Sequence, residues 1–348
     1  MTWQYMRHRR ILVLAFSLFS VLSFFFPVNA AVVWNVSLWG TSRAVTISIE
    51  HLANELDIRT NGDLKLVLHF GESISPAREN IDGVAFGAFE AAHICPSYHP
   101  GKTPAMLALE LPFLPFSNLR TAHEVAKRVN QHPVIVSELD RFRVKILQYV
   151  IAPRYEFMGR GAPPTHLADW KGMRVRAPGA IGSGVRELGG RPTSVSAPEI
   201  YTSLDRGLFD AAALPFSYTF ASYRIYEVAD WYTFNMNLAV PNCVVVVNKD
   251  AWSSLSPKYR TLINTINVEA YNLQLEALLH TDAEWIPQFD ASGLTRITYD
   301  QVSLDAFKKR ASEKIWRDWV LKNKNRFEAQ DYLDFILQQI ALLSADRE

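Results

Sequence analysis

The sequence predicts an α/β protein of two lobes joined by a hinge, with one long helix lying along both. Three observations carry this. Strand-like and helix-like runs alternate twice, once before residue 100 and again after residue 145. The 348 residues suit about two domains. After Ser256-Pro257, apolar residues keep helical spacing with no breaker until Pro287. That stretch is about 45 Å of helix, more than one small lobe needs.

Composition narrows the class. Hydrophobic residues make up 49%, charged residues 20% and aromatic residues 12%, a globular balance that excludes low-complexity disorder. Residues 1–30 contain Arg7, Arg9 and Arg10 and no acid, then an apolar run from Ile11 to Phe26, then Pro27-Val-Asn-Ala30. A basic start, a short apolar stretch and a small-residue end spell a secretory signal peptide cleaved after Ala30. The run is shorter than the ~20 residues that span a bilayer. No cysteine follows it closely, so a lipoprotein is not expected, and the residues after Arg9-Arg10 match twin-arginine export poorly. Without residues 1–30 the formal charge of +1 becomes −2, which excludes a strongly basic nucleic-acid binder. The remaining cysteines, Cys95 and Cys243, leave open a disulfide closing a long loop and a pair of free thiols.

The elements follow in order. Val32 to Leu38 is a short β-branched strand, and Ala44 to Leu56 a helix stopped by Thr60-Asn61-Gly62. Leu64 to Phe70 is a second strand, Pro76 to Val84 a helix, and Phe86 to Ile94 a third strand. This alternation implies a parallel, buried sheet with ligands at the carboxyl ends of its strands. The pattern returns with strands at Lys145 to Ile151 and Met173 to Arg176, helices at Pro178 to Leu188 and from Pro198, and strands at Asp210 to Leu214 and Cys243 to Asn248. Leu304 to Leu343 is a helical, mixed-charge tail.

The chemistry concentrates around Arg176. It ends a strand just before a glycine-rich helix start, where a guanidinium and backbone N–H groups converge on an anion. A fork-shaped arginine suits a planar carboxylate. Gly179-Ala-Ile-Gly182-Ser-Gly184 fails the dinucleotide spacing and lacks the elbow of a serine hydrolase. His93 and His99 flank Cys95 without zinc spacing or a second cluster. No metal, no cofactor and no catalytic set is expected.

Leu167-Ala-Asp-Trp-Lys-Gly-Met-Arg-Val-Arg-Ala-Pro-Gly179 resembles the motif around the carboxylate-binding arginine of the TRAP-transporter solute-binding proteins. Glu199-Ile-Tyr-Thr-Ser-Leu204, Gly207-Leu-Phe-Asp210, Tyr226-Glu-Val228, Val244 to Lys249 and Trp252 with Leu255-Ser-Pro257 match the same family in order. So do Gly71 to Arg78 and Gly87 to Glu90, and the similarity runs from about Val32 to about Lys324. The resemblance implies a two-lobed periplasmic-binding-protein fold, type II-like. It implies a periplasmic receptor in a Gram-negative bacterium, not an enzyme, that passes a small organic acid to the small and large membrane subunits of an ion-driven permease. An extracytoplasmic sensor module feeding a membrane signalling protein is the alternative.

It places Arg176 on the ligand carboxylate and offers Arg160 as a second cationic contact, with Arg154 competing. Four pocket positions depart from the sialic-acid and dicarboxylate receptors. Leu214 stands where an Asn is common, Ala197 where an aromatic is common, Cys95 where an acid can occur, and Trp39 in place of a small polar residue. Phe216, Tyr218 and Asn237 are further lining candidates. The expected ligand is a carboxylate with an apolar or aromatic body. The expected lobes are residues 31–153 with 241–281, and 154–240 with 282–348.

Overall fold

The structure is a computed structural model and describes residues 31–345. The expected leader, residues 1–30, lies outside the described residues. Two mixed sheets organise the chain. The first comprises β1 (Val32–Ser37), β2 (Leu64–His69), β3 (Ala91–Ile94), β4 (Val144–Tyr149) and β10 (Val244–Asn248), in the order β2-β1-β3-β10-β4. The second comprises β5 (Tyr155–Gly159), β6 (Arg174–Arg176), β7 (Arg191–Thr193), β8 (Ala211–Pro215), β9 (Trp231–Thr233) and β11 (Thr295–Ile297), in the order β11-β9-β5-β8-β6-β7.

Neither sheet is wholly parallel, and both departures have one cause. β10 runs against β3 and β4, and β5 runs against β8 and β9. Each is the strand by which the chain enters a sheet after leaving the other, β5 directly after β4 and β10 directly after β9. Crossover helices return the chain to a common starting end, so β1, β3, β4, β6, β8 and β9 all finish at the edge facing the other sheet. A strand entered from that edge must run away from it. The inter-sheet edge therefore carries the carboxyl ends of the parallel strands and the amino ends of β5 and β10.

The strands absent from the sequence reading are short. β7, β9 and β11 have three residues each, too few for alternation to show, and β5 is buried throughout despite carrying Glu156.

The long helix spans Pro257–Ala291, 35 residues or about 52 Å. The Ser256 hydroxyl caps it, accepting from the Tyr259 N–H at 3.4 Å. Its first half lies on helix Ile47–Arg59, where Arg59 forks onto Glu269. It does not stop at Pro287. Trp285 and Phe289 pack on Tyr226, Tyr232 and Phe216 of the second-sheet side, and this aromatic cluster outweighs the backbone hydrogen bond that proline removes. The helix thus touches both sheets.

The tail forms two helices, Gln301–Asn323 and Ala329–Ala345. The last does not stay with the second sheet. It packs on helix Leu119–Val129, burying Leu333, Ile336 and Ile340, and the Tyr332 hydroxyl donates to the Ala105 carbonyl at 3.3 Å. An apolar stripe of that width needs a partner, and the first-sheet helix supplies it.

Cys95 and Cys243 form a disulfide. The pairing of Ile94 with Val244 places them as the next opposed residues of β3 and β10, so the bridge clips two strand ends at the inter-sheet edge. It closes a loop of 148 residues. Replacing both cysteines by alanine should lower the unfolding free energy by roughly 2–5 kcal/mol in urea titrations under oxidising conditions. A loss below about 0.5 kcal/mol, inside the range of an ordinary surface substitution, would contradict that.

Candidate functional site

Arg176 ends β6, so the strand direction carries it to the inter-sheet edge. The chain then turns through Gly179, whose φ is +54°. A Cβ there would lie 2.8 Å from the Ser97 Cα, so only glycine lets the second sheet's turn approach the first sheet's backbone this closely. The Arg176 side chain is 1% exposed. Its Nε donates to the Val195 carbonyl at 3.0 Å, Nη1 to the Ala213 carbonyl at 3.0 Å, and Nη2 to the Tyr98 hydroxyl at 3.2 Å.

These bonds hold the guanidinium in place but bring no carboxylate into direct contact with it; Glu199 acts on it from farther away. Among the described residues no carboxylate comes within 4.0 Å of it. An isolated charge out of water is costly unless a counter-charge reaches it. The Tyr98 hydroxyl is the group at its open side. It accepts from Arg176 and also from the Ala197 N–H at 3.0 Å, joining the first sheet's side to two groups of the second.

Around this contact is a closed crevice lined by Trp39, Ser97, Tyr98, Tyr155, Leu214 and Tyr218, with the disulfide on one side. Its free volume is about 20 Å³, room for one water. An organic acid enters only if the two sides part or the lining side chains yield. Roomier hollows exist, of about 660 Å³ beside Lys127 and Gln148 and about 460 Å³ beside Arg154 and Glu156. The smaller crevice is the candidate site because it holds a buried cation with no carboxylate in direct contact.

Of the residues expected at the site, Arg176, Trp39, Cys95, Ala197 and Leu214 line this crevice, as does Tyr218. Phe216 and Asn237 do not. They line the hollow that contains Arg154 and Glu156. Phe216 stacks in the aromatic cluster with Tyr232, and the Asn237 N–H donates to Glu156 at 2.7 Å from a left-handed backbone, φ +47°. Arg160 is exposed, and its Nη1 donates to the Leu204 and Asp205 carbonyls. It follows β5, which runs away from the crevice, so the topology itself carries it to the far end of the sheet. Arg154 lies at the near end but donates to the Phe116 carbonyl. Neither serves as a partner to Arg176. Tyr98 and Tyr155 were not anticipated. Tyr98 follows the Cys95-Pro96 turn after β3, a position that strand direction points to the crevice.

Two buried carboxyl groups flank the site. Glu110 accepts from the Ser97 hydroxyl and from the Asn242 N–H at 3.0 Å, tying a crevice residue to the second crossing. Burial pushes it up to about 7, against the opposing pull of the Ser97 hydrogen bond. Glu156, on the opposite face of β5 from Tyr155, is also pushed up to about 7 by burial, although Thr233, Met236 and Asn237 donate to it. His93, stacked on Trp39 at 5.0 Å, is held down to about 3 by burial and by the nearby Arg43 cation, so it is neutral.

The family model for bacterial extracellular solute-binding proteins, family 7, matches residues 36–323. The chain belongs to this family, the solute-binding proteins of TRAP transporters, which are receptors rather than enzymes. It is similar to the monocarboxylate 2-oxoacid-binding periplasmic protein of Nostoc sp., 24% identical over 83% of this chain and 83% of that one. Its fold matches a TRAP periplasmic solute-binding protein from Desulfovibrio salexigens with bound orotic acid, at TM-score 0.80, 17% identity and coverage of 89% and 99%. A TRAP solute-binding protein from Rhodoferax ferrireducens in complex with copurified benzoate matches at TM-score 0.79, 19% identity and coverage of 91% and 100%. Among the described residues no helix is long and apolar enough to cross a membrane.

Glu110 gives a pH signature. Its folded value near 7 exceeds the ordinary 4.5, so between those pH values the folded chain binds more protons than the unfolded one. Stability from this group is full below about 4.5 and falls as pH rises through 7. Glu110→Gln, which stays neutral, should gain on wild type by a margin of order 3 kcal/mol between about pH 5 and pH 8. Thermal melts of both proteins across that range check it, and a pH-independent difference would contradict it.

Proposed function

We propose that this protein captures a small organic carboxylate between its two lobes and presents it to the small and large membrane subunits of a TRAP permease. The observation that carries the reading is Arg176, buried and hydrogen-bonded in place, with no carboxylate of the described residues in direct contact with it. The ligand carboxylate supplies the missing charge, accepting from the guanidinium and from the Ala197 N–H that Tyr98 otherwise engages. Closure is then favoured in the liganded state because ligand and both lobes share one set of bonds.

The lobes of this reading are residues 31–153 with 241–281 and 154–240 with residues from 282 onward, the last helix riding on the first lobe. The crossings after β4 and β9, with the long helix, form the hinge. A leader at residues 1–30 carries the chain to the periplasm, where the Cys95–Cys243 bridge is stable. No observation favours the sensor alternative.

The body of the ligand is apolar or ring-shaped. Leu214 and Ala197 offer no side-chain partner for a row of hydroxyls, and each unsatisfied hydroxyl costs about 1–3 kcal/mol. Among the relatives, named ligands include the ring carboxylates orotic acid and benzoate but also β-D-galacturonate and β-D-glucuronate, so the crevice lining carries this reading.

Two measurements test this. In a thermal-shift panel of organic acids, ring or apolar carboxylates should raise the melting temperature and sugar acids should not. A response to sugar acids alone would overturn the ligand class. Arg176→Ala should weaken carboxylate binding about 100-fold or more by calorimetry, with the far-UV circular dichroism of wild type. Wild-type affinity in that variant removes Arg176 from its role.

A further inference from the structure

A second guanidinium is buried beside the same crevice. Arg43, 7% exposed, follows β1 and Trp39 at the inter-sheet edge. Its Nη1 donates to the Trp39 and Thr41 carbonyls at 3.0 and 2.6 Å. Its Nε and Nη2 are buried with no hydrogen-bond partner, and among the described residues no acid lies within 4.0 Å of it. Glu50, on the next helix, accepts from the Ser42 and Thr46 hydroxyls instead.

The groups near Arg43 share the deficit. Trp39 Nε1 and the Tyr223 hydroxyl are likewise buried and unpartnered, while the Thr219 hydroxyl beside them pairs with Tyr218. The Arg43 guanidinium carbon stands 4.6 Å from the Trp39 ring centre and 5.8 Å from that of Tyr223. Thr219 and Tyr223 sit one helical turn apart, the Tyr223 N–H donating to the Thr219 carbonyl. Trp39 and Thr219 also line the Arg176 crevice, so the two regions are continuous. Both sides meet closely here. A Cβ on Gly40 would fall 2.2 Å from the Tyr223 hydroxyl.

The atoms left over are mostly donors. Arginine and indole N–H groups cannot accept, so an acceptor completes the patch, and only an anionic acceptor also answers the charge of Arg43. The Nε and Nη2 edge of a guanidinium matches the two oxygens of a carboxylate. Contact with two aromatic faces offsets only part of the cost of burying the charge. His93, neutral, adds no positive charge, which leaves Arg43 as the cation of the patch.

We propose that Arg43, with Trp39 Nε1 and the Tyr223 hydroxyl, is a second anion subsite, so that the preferred ligand is a diacid. One carboxylate lies on Arg176, the apolar body passes Trp39 and Leu214, and the second carboxylate takes the free edge of Arg43. This rests on the Arg176 assignment under the proposed function.

Calorimetric titrations with matched acids test it, using protein freed of copurified ligand by unfolding and refolding. The pairs are benzoate with benzene-1,3-dicarboxylate and butanoate with butanedioate. At least one diacid should bind wild type about tenfold or more tightly than its monoacid. Arg43→Gln should bring that ratio close to one, and Arg176→Gln should weaken both members of the pair. Arg43→Lys keeps a charge over Trp39 but loses the fork, and should cut the ratio even if the glutamine variant does not fold. The proposal is overturned if no diacid is preferred, if the preference survives in Arg43→Gln and Arg43→Lys, or if those variants weaken both acids equally, which assigns Arg43 to lobe contact alone. If Arg176→Gln binds both acids normally while the Arg43 effect persists, the proposed function fails and the second subsite stands.

Discussion

A positive charge held dry, with no carboxylate in direct contact, is the constraint on which this structure turns. Arg176 is fixed by the Val195 and Ala213 carbonyls and by the Tyr98 hydroxyl, all neutral. Those bonds orient the guanidinium without repaying its transfer from water. The fold accepts the cost at one place, the edge where the strands of both sheets end. Everything needed to make that place lies in strand direction. Because β6 runs toward the edge and β5 away from it, an arginine after one is delivered to the crevice and an arginine after the other to solvent.

The surroundings limit how the charge can be answered. The disulfide clips β3 to β10, and Glu110 ties Ser97 to Asn242, so the first-sheet wall is braced by covalent and hydrogen bonds. The Tyr98 hydroxyl, by contrast, reaches across to Arg176 and Ala197 through two ordinary hydrogen bonds. On the proposed function, that exchangeable contact is what a carboxylate replaces. A stiff wall with one yielding contact suits a binding cleft, where closure must depend on the ligand rather than occur equally without it.

Much of this was legible in residue order. The alternation around β1 to β3, the helix opened by Ser256-Pro257 and the strand ended by Arg176 all carry signals of period, cap or breaker. Arg176 stood out because a strand-end arginine meets a glycine-rich turn. Arg160 misled because spacing along the chain says nothing of strand direction, and β5 runs opposite to β6. Phe216 and Asn237 misled differently: one sits at the end of β8 and the other in a turn pinned by Glu156, near the crevice in sequence terms but facing another hollow. Tyr98 and Arg43 were missed because a tyrosine after a Cys-Pro turn and an arginine before a helix have no local pattern. Their meaning appears only when two distant segments meet. The contact of the tail helix with Leu119–Val129 was hidden for the same reason, since its apolar stripe does not say what will cover it.

The most direct measurement is a crystal structure of the protein with an organic acid bound. The account predicts a carboxylate paired with the Arg176 guanidinium at hydrogen-bond distance, with Tyr98 displaced from that contact. An acid seated elsewhere, with Arg176 still bonded only to Val195, Ala213 and Tyr98, would contradict it.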